Sequence, residues 1–401
     1  MNTNKRNFLH IGAYDRNLGD NIALHNVRLE FNKNISNINW LSYDIGNFWS
    51  INNKIDFVKE FFLKNDFDSI IVGGGGLIEY KGYEKMETNF KLPFNKEIIK
   101  CIKCPLHFVS LGINYFRGLT GFDDEAKLNL KDIIEYSTTF SLRNDGSINI
   151  LNELGLSNEK VKVIPDPGLI FDYRKERKFQ NLIKNAIQPA FNSNEIINLN
   201  RFLEKKNLNS LISFAKDESL LTIPHTPKDF KYLDNFFIKE KDIGNFIKFQ
   251  ETSNSIKSYL EIDNVVAMRG HGQLISIGLN IPGIYLSTQD KVEKFSILNG
   301  FEKFNVDIRN KDWEILLKKG YRKLQEDLEF RNLWYEIRDT NINNWKQIFQ
   351  ENLEFCSKIS INFFNEKDMK SSKYKLIPIK SKFKIRSFIK KLLIKLRILN
   401  S

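Results

Sequence analysis

In the stretch "VVAMRGHGQ", Arg269 and His271 stand two residues apart at the end of an apolar run. A histidine that opens a helix can hydrogen-bond a phosphate and also hand over a proton. The flanking Gly270 and Gly272 remove side chains that would block a ligand. A second pattern of this kind is "FSLRNDGSI", where Arg143, Asn144, Asp145 and Ser147 end one apolar run and open a helix. A guanidinium beside a helix amino end attracts phosphate or carboxylate and can grip either through two parallel bonds. The plainer alternatives are a buried turn for the first stretch and a helix-capping Arg-Asp pair for the second.

Glycine-rich turns accompany both patterns. "IGAYDRNLGDN" carries Gly12, Asn17, Gly19 and Asp20 between a strand pattern and a helix pattern, with Asp20 or Asn21 available as the helix cap. "VGGGGLIEY" has four glycines, Gly73 to Gly76, where a tight turn needs one or two. Gly74 and Gly75 therefore suggest close approach by a substrate or by an opposing domain. Asp166 in "IPDPGLIF" either orients a basic residue or shapes its turn, and His225 in "LLTIPHTPKD" ends an apolar run as a candidate proton carrier.

Several chemistries find no support. No segment fits the G-x-G-x-x-G dinucleotide fingerprint or the Gly-Lys-Ser/Thr phosphate loop. The carboxylate pair Asp66 and Asp68 precedes its strand, at the wrong end for a cleft, and His10, His25 and His107 share no metal-ligand spacing, so no metal is expected. Cys101 and Cys104 have no second pair to complete a zinc site and read as buried thiols beside a strand.

The elements that must position these residues alternate strand and helix patterns, the signature of parallel sheets wrapped by helices. We divide the chain into a first α/β domain over 1–180, a polar, Asn-rich linker or insertion over 181–208 without a strong strand, and a second α/β domain over 209–310. Closing helices whose tryptophans pack in the core follow over 311–368, then a basic tail over 369–401. In open α/β sheets ligands sit beyond the carboxyl ends of strands, so two such domains facing each other make a cleft.

Charge is concentrated at one end. The formal net charge is +12, and from Lys370 onward there are eleven lysines and arginines with no acidic residue. This argues against a nucleic-acid groove spread over the fold. From Ile385 to Leu399 the apolar positions recur at helical spacing beside Lys390, Lys391, Lys395 and Arg397, which suits the interface of an anionic membrane, with docking on a protein partner as the alternative. No stretch has the apolar length of a membrane span, and the start lacks a signal-peptide core. A cytoplasmic protein, peripheral at the inner face of the cell membrane, is expected.

Taken in order, "GAYDRNLGD", "VGGGG", "SLRNDGS", "PDPGLIF", "IPH" and "RGHGQLISIGLNIPGIYLSTQDKV" resemble the polysaccharide pyruvyl transferase family from about Phe8 to Phe301. The resemblance implies two Rossmann-like domains with parallel sheets facing a cleft, similar to the GT-B glycosyltransferase fold. It further implies transfer of a pyruvyl group from phosphoenolpyruvate to sugar hydroxyls of a cell-surface glycan or its lipid-linked precursor, without a cofactor. The family's arginine and histidine fall on Arg143 and His271; Arg269 is a further phosphate contact by position, and Asp145 or His225 would serve the acceptor hydroxyl. Gly19, Asp20, Gly74, Gly75, Ser147 and Gly272 would line the substrate. Two competing readings are a nucleotide-sugar glycosyltransferase, with Arg143 and His271 holding a diphosphate, and a non-catalytic scaffold of a membrane-associated glycan-assembly complex acting through its tail.

Overall fold

Strand β3, Ser69–Gly73, is buried at all its positions, as is β4, Leu106–Leu111. Such unbroken burial marks a parallel sheet covered on both faces. In the computed structural model, which describes residues 5–49, 55–80, 88–114, 121–169, 184–189, 205–226, 229 and 246–369, these strands form the middle of a six-stranded sheet. Its order is β2-β1-β3-β4-β5-β6, with β1 Arg6–Gly12, β2 Ile38–Asp44, β5 Thr139–Arg143 and β6 Val161–Ile164, and all neighbours are parallel. Helices α1 (Leu18–Asn34), α2 (Gly46–Trp49), α3 (Ile55–Lys64), α4 (Lys96–Cys101), α5 (Asp124–Tyr136) and α6 (Ser147–Glu153) connect them.

The second sheet has five parallel strands in the order β11-β10-β9-β7-β8, with β7 Lys184–Gln188, β8 Leu221–Thr222, β9 Ile262–Ala267, β10 Gly283–Ser287 and β11 Asn305–Asp307. Strand β7 lies within 181–208, the stretch expected to be a linker or insertion without a strong strand. It is an interior strand, and its short "KNAIQ" offers only Ala186 and Ile187 as apolar signal, which polar flanks conceal. The remaining helices are α7 (Lys205–Asp217), α8 (Thr252–Tyr259), α9 (Gly270–Gly278), α10 (Asp290–Leu298), α11 (Trp313–Glu326) and α12 (Leu328–Met369).

The closing helices divide their work. Trp313, Trp334 and Trp345 are buried in the second domain's core, as expected. Further along, α12 crosses back: Phe349, Leu353 and Cys356 pack with Phe8, Phe31, Ile71 and Val109 of the first domain. Ser360 Oγ lies 3.1 Å from His107 Nε2 and donates to Ser69 Oγ at 3.0 Å.

A second joint forms at the start of α1. Leu18 and Ile22 belong to the second domain's core cluster, and the Leu18 amide donates to the His225 carbonyl at 2.9 Å. Asn17, not Asp20 or Asn21, caps α1 by accepting from the Gly19 amide at 2.8 Å. Asn21 instead donates to the Ile247 carbonyl at 2.5 Å, and the Phe249 amide donates to Asp15 Oδ1 at 2.6 Å. Cys101 and Cys104 are half-buried free thiols rather than fully buried ones. The tail over 369–401 lies, from Lys370 on, outside the described residues.

Candidate active site

Arg143 is the last residue of β5, at the carboxyl edge of the first sheet, and is 3% exposed. Its Nε donates to Asp145 Oδ2 at 2.5 Å and its Nη1 to Asp166 Oδ2 at 3.0 Å. Burial opposes the guanidinium charge, but Asp145 and Asp166 outweigh that cost and hold Arg143 above its ordinary pKa. Gly112 makes the fit possible, since a Cβ there would stand 2.3 Å from Arg143 Nη2. Asp145 is tied down further: its Oδ1 accepts from the backbone amide of Ser147 at 3.1 Å and from the Ser147 hydroxyl at 2.5 Å.

His271 stands in the first turn of α9, two residues after Arg269 at the N-cap. Its Nδ1 lies 3.4 Å from Asp20 Oδ1 and its Nε2 lies 3.6 Å from Asp166 Oδ2. The second distance exceeds hydrogen-bond reach, so Nε2 faces its carboxylate without a bond. Asp166 thus bridges Arg143 of the first domain and His271 of the second. Its own burial would raise its pKa, yet His271 and Arg143 hold it well below the usual carboxylate range. Both roles left open from the sequence are filled: Asp166 shapes its turn, its Oδ1 accepting from the Gly168 amide at 2.8 Å, and it holds Arg143 through Oδ2.

The glycines are explained mainly by these neighbours. A Cβ on Gly19 would fall 2.2 Å from the His271 Cβ, so the first turn of α1 is bare because the opposing domain's histidine packs on it. Gly75 leaves room for Asp20, whose Oδ1 would be 2.9 Å from a Cβ at that position, and Gly74 adopts φ +91°. Gly272 gives way to Gln188 at the end of β7, 2.2 Å from a Cβ there. That glutamine also accepts from the Arg269 amide at 3.0 Å.

Arg269 donates from Nη2 to Asp229 Oδ1 at 2.7 Å and from Nε to the Pro189 carbonyl at 3.0 Å, while still lining the cleft. His225 does not reach the cleft. It is fully buried, its Nε2 is hydrogen-bonded to the Tyr259 hydroxyl, and its amide donates to Asp229 Oδ2 at 2.8 Å. Burial, with Arg269 and His271 adding to it, pushes its pKa well below the ordinary histidine value. His225 therefore supports Arg269 from behind through Asp229, and a direct role at an acceptor hydroxyl is closed to it.

Between the two sheets lies a cleft of about 290 Å³. Arg143, Asp145, Arg269 and His271 line it together with Asp20, whereas Gly19, Gly74, Gly75, Ser147 and Gly272 stand behind that surface. Sequence reasoning missed Glu79, Lys91, Asn114, Gln289 and Lys291 on its wall. Lys91 donates to Glu79 Oε2 at 3.1 Å. Asn114 donates to the Gly76 carbonyl at 2.8 Å, while its own side-chain oxygen has no partner among the described residues. Four permanent cations, Arg143, Arg269, Lys91 and Lys291, line it with His271 and three carboxylates, Asp20, Asp145 and Glu79, while Asp166 and Asp229 hold the two arginines from behind. The first turn of α9 holds no acidic residue and no side-chain cap, so its amides and dipole favour an anion. Among the described residues no group of three or more His, Cys, Asp or Glu side chains could hold a metal ion, and no helix is long and apolar enough to cross a membrane.

Solved structures with this arrangement include the S. aureus MnaA-UDP co-structure, with 13% identity, 92% of this chain and 100% of that chain covered, and a TM-score of 0.53. The Neisseria meningitidis UDP-GlcNAc 2-epimerase bound to UDP-GlcNAc has 13% identity, 90% and 100% coverage, and a TM-score of 0.49. The Methanocaldococcus jannaschii UDP-GlcNAc 2-epimerase in complex with UDP-GlcNAc and UDP has 15% identity, 80% and 93% coverage, and a TM-score of 0.45. At such identities the likeness concerns the fold, two parallel-sheet domains of GT-B type. No curated protein matches the chain. The model of one family, polysaccharide pyruvyl transferase, matches residues 17–290, a span that runs from the cap of α1 through Arg143 and Asp166 to His271 and the start of α10. With that match over more than half its length, and with the site residues inside it, the chain belongs to the polysaccharide pyruvyl transferase family and is a transferase.

Proposed function

We propose that this protein transfers the pyruvyl group of phosphoenolpyruvate to sugar hydroxyls of a cell-surface polysaccharide or its lipid-linked precursor, forming a cyclic ketal and releasing phosphate. The observation that carries this reading is the Asp166 bridge, which gathers an arginine from one domain and a histidine from the other at the wall of one cleft.

In this reading the phosphate lies at the amino end of α9 with His271 and Arg269, and Arg143 faces the carboxylate. His271 gives a proton to the methylene carbon, which makes the central carbon electrophilic. One sugar hydroxyl bonds to that carbon and loses its proton to a carboxylate. Phosphate departs with the electrons of the broken C–O bond, and a second hydroxyl closes the ketal as its own proton leaves. Asp145 was the other residue expected to serve the acceptor, but Arg143 and Ser147 engage both its oxygens. Asp20, 22% exposed at its side chain and 3.4 Å from His271, is the better placed base. The basic amphipathic stretch 380–400, outside the described residues, would keep the protein at the inner face of the membrane where lipid-linked acceptors reside.

Incubation of the full chain with phosphoenolpyruvate and the source organism's cell-envelope glycan precursors should release inorganic phosphate and add a ketal to the glycan. The His271→Gln and Arg143→Ala variants should lose at least about a hundredfold in rate, the usual scale for removing a proton donor or an electrostatic contact. Full activity in both variants would remove the assigned site.

A further inference from the structure

Helix α11 presents two unlike faces. Trp313, Leu317, Tyr321 and Leu324 are buried against the second sheet and satisfy its inward side. Its outward side carries Ile315 and Leu316, 66% and 39% exposed, next to Lys318, Lys319, Arg322 and Lys323, all exposed. Leu328, 70% exposed, lies past the other end of α11, at the start of α12. Ile315 and the four cations border a shallow depression of about 480 Å³, with Glu326 and Asp327 at its far end.

Single exposed aliphatic residues occur elsewhere in the chain, Leu63 and Leu128 among them, but on α11 two adjacent ones adjoin four cations, and a nucleic-acid surface would pair its cations with polar or aromatic groups rather than aliphatic ones. Aliphatic side chains interleaved with lysine and arginine match a surface that is negative at its headgroups and apolar beneath them. We propose that the outward face of α11 docks on an anionic lipid bilayer, Ile315 and Leu316 entering the headgroup region and the four cations resting on lipid phosphates.

The topology gives this contact a consequence. Strand β11 runs parallel to β10, whose carboxyl end leads to Gln289 and Lys291 on the cleft wall. Helix α11 follows β11, so its amino end, with Ile315 and Leu316, starts on the cleft side of the second domain. Docking there would hold the cleft mouth next to the bilayer. The proposal does not depend on the donor, because phosphate release in solution and vesicle binding are separate measurements.

The test is sedimentation of the full chain with phosphatidylcholine vesicles containing or lacking phosphatidylglycerol. Lys319→Glu/Arg322→Glu should weaken binding to anionic vesicles by at least about 30-fold, the loss expected from removing two basic residues at such a surface before the added repulsion. Ile315→Asp should weaken it several-fold, while Lys127→Glu/Lys131→Glu on α5 should change it by less than about threefold. Thermal midpoints should hold, since all these side chains are exposed or half-buried. Wild-type binding by both α11 variants, or an equal loss in the α5 control, would overturn the proposal. So would unchanged vesicle binding with loss of self-association in light scattering, which would assign the face to a second copy of the chain.

Discussion

Arg143 owes its position to two carboxylates, and they owe their burial to it. With Asp145 at 7% and Asp166 at 1% exposure, Arg143→Ala would leave two buried carboxylates without their cation. Removing one partner of a buried ion network costs about 3–5 kcal/mol. That loss should appear in denaturant unfolding of Arg143→Ala, whereas His271→Gln, which touches its carboxylates only at 3.4 and 3.6 Å, should cost about 1 kcal/mol or less. Equal stability of the two variants would contradict the buried network. From the sequence, Arg143, Asp145, Arg269 and His271 stood out because each follows an apolar run, and the structure places all four on the cleft wall. Asp166 could not be resolved in advance, since its role exists only when β6 and α9 meet. Lys91 and Asn114 sit in stretches of ordinary composition, and Glu79, although inside "VGGGGLIEY", was passed over for the glycines before it. His225 misled for a physical reason: a strand end can point into a joint between domains as readily as into a cleft.

At the scale of elements, the periodic ones were readable and the short ones were not. Strand β3 and helices α3, α5 and α11 carry apolar patterns long enough to specify both type and buried face. Strand β7 has five residues, two of them apolar, and takes its place from pairing with β8 and β9 rather than from its own pattern. The stretch after Lys248 is a 3-10 turn over Phe249–Glu251, held to the first domain by Asp15. The return of α12 to the first domain was equally hidden, because an amphipathic helix shows that it has an apolar face but not which sheet receives it. Gly74 and Gly75, expected to admit a substrate or the opposing domain, instead meet Leu24 and Asp20 of their own domain, whereas at Gly19 the approaching group is His271 of the opposing domain.

For the molecule as a whole, three histidines tie stability to pH. His10, His107 and His225 are fully buried, and burial lowers the pKa of each, that of His107 to about 3. Their folded values lie below the unfolded value of about 6.5, so the folded state binds fewer protons. Stability is full above pH 6.5 and is lost as pH falls, by about 1.4 kcal/mol per pH unit for each histidine. Unfolding measured at pH 7.5, 6 and 5 should show this decline, and His107→Gln should make it shallower by one histidine's share. A flat profile across that range would contradict the buried neutral state. The central claim, that Arg143 and His271 from two domains form one site for phosphoenolpyruvate, is tested most directly by ligand-induced thermal stabilisation of the full chain. The account expects phosphoenolpyruvate at a hundredfold excess over its Kd to stabilise the protein by about 2.7 kcal/mol, and His271→Gln to lose most of that gain. Stabilisation by a nucleotide sugar but not by phosphoenolpyruvate would contradict it.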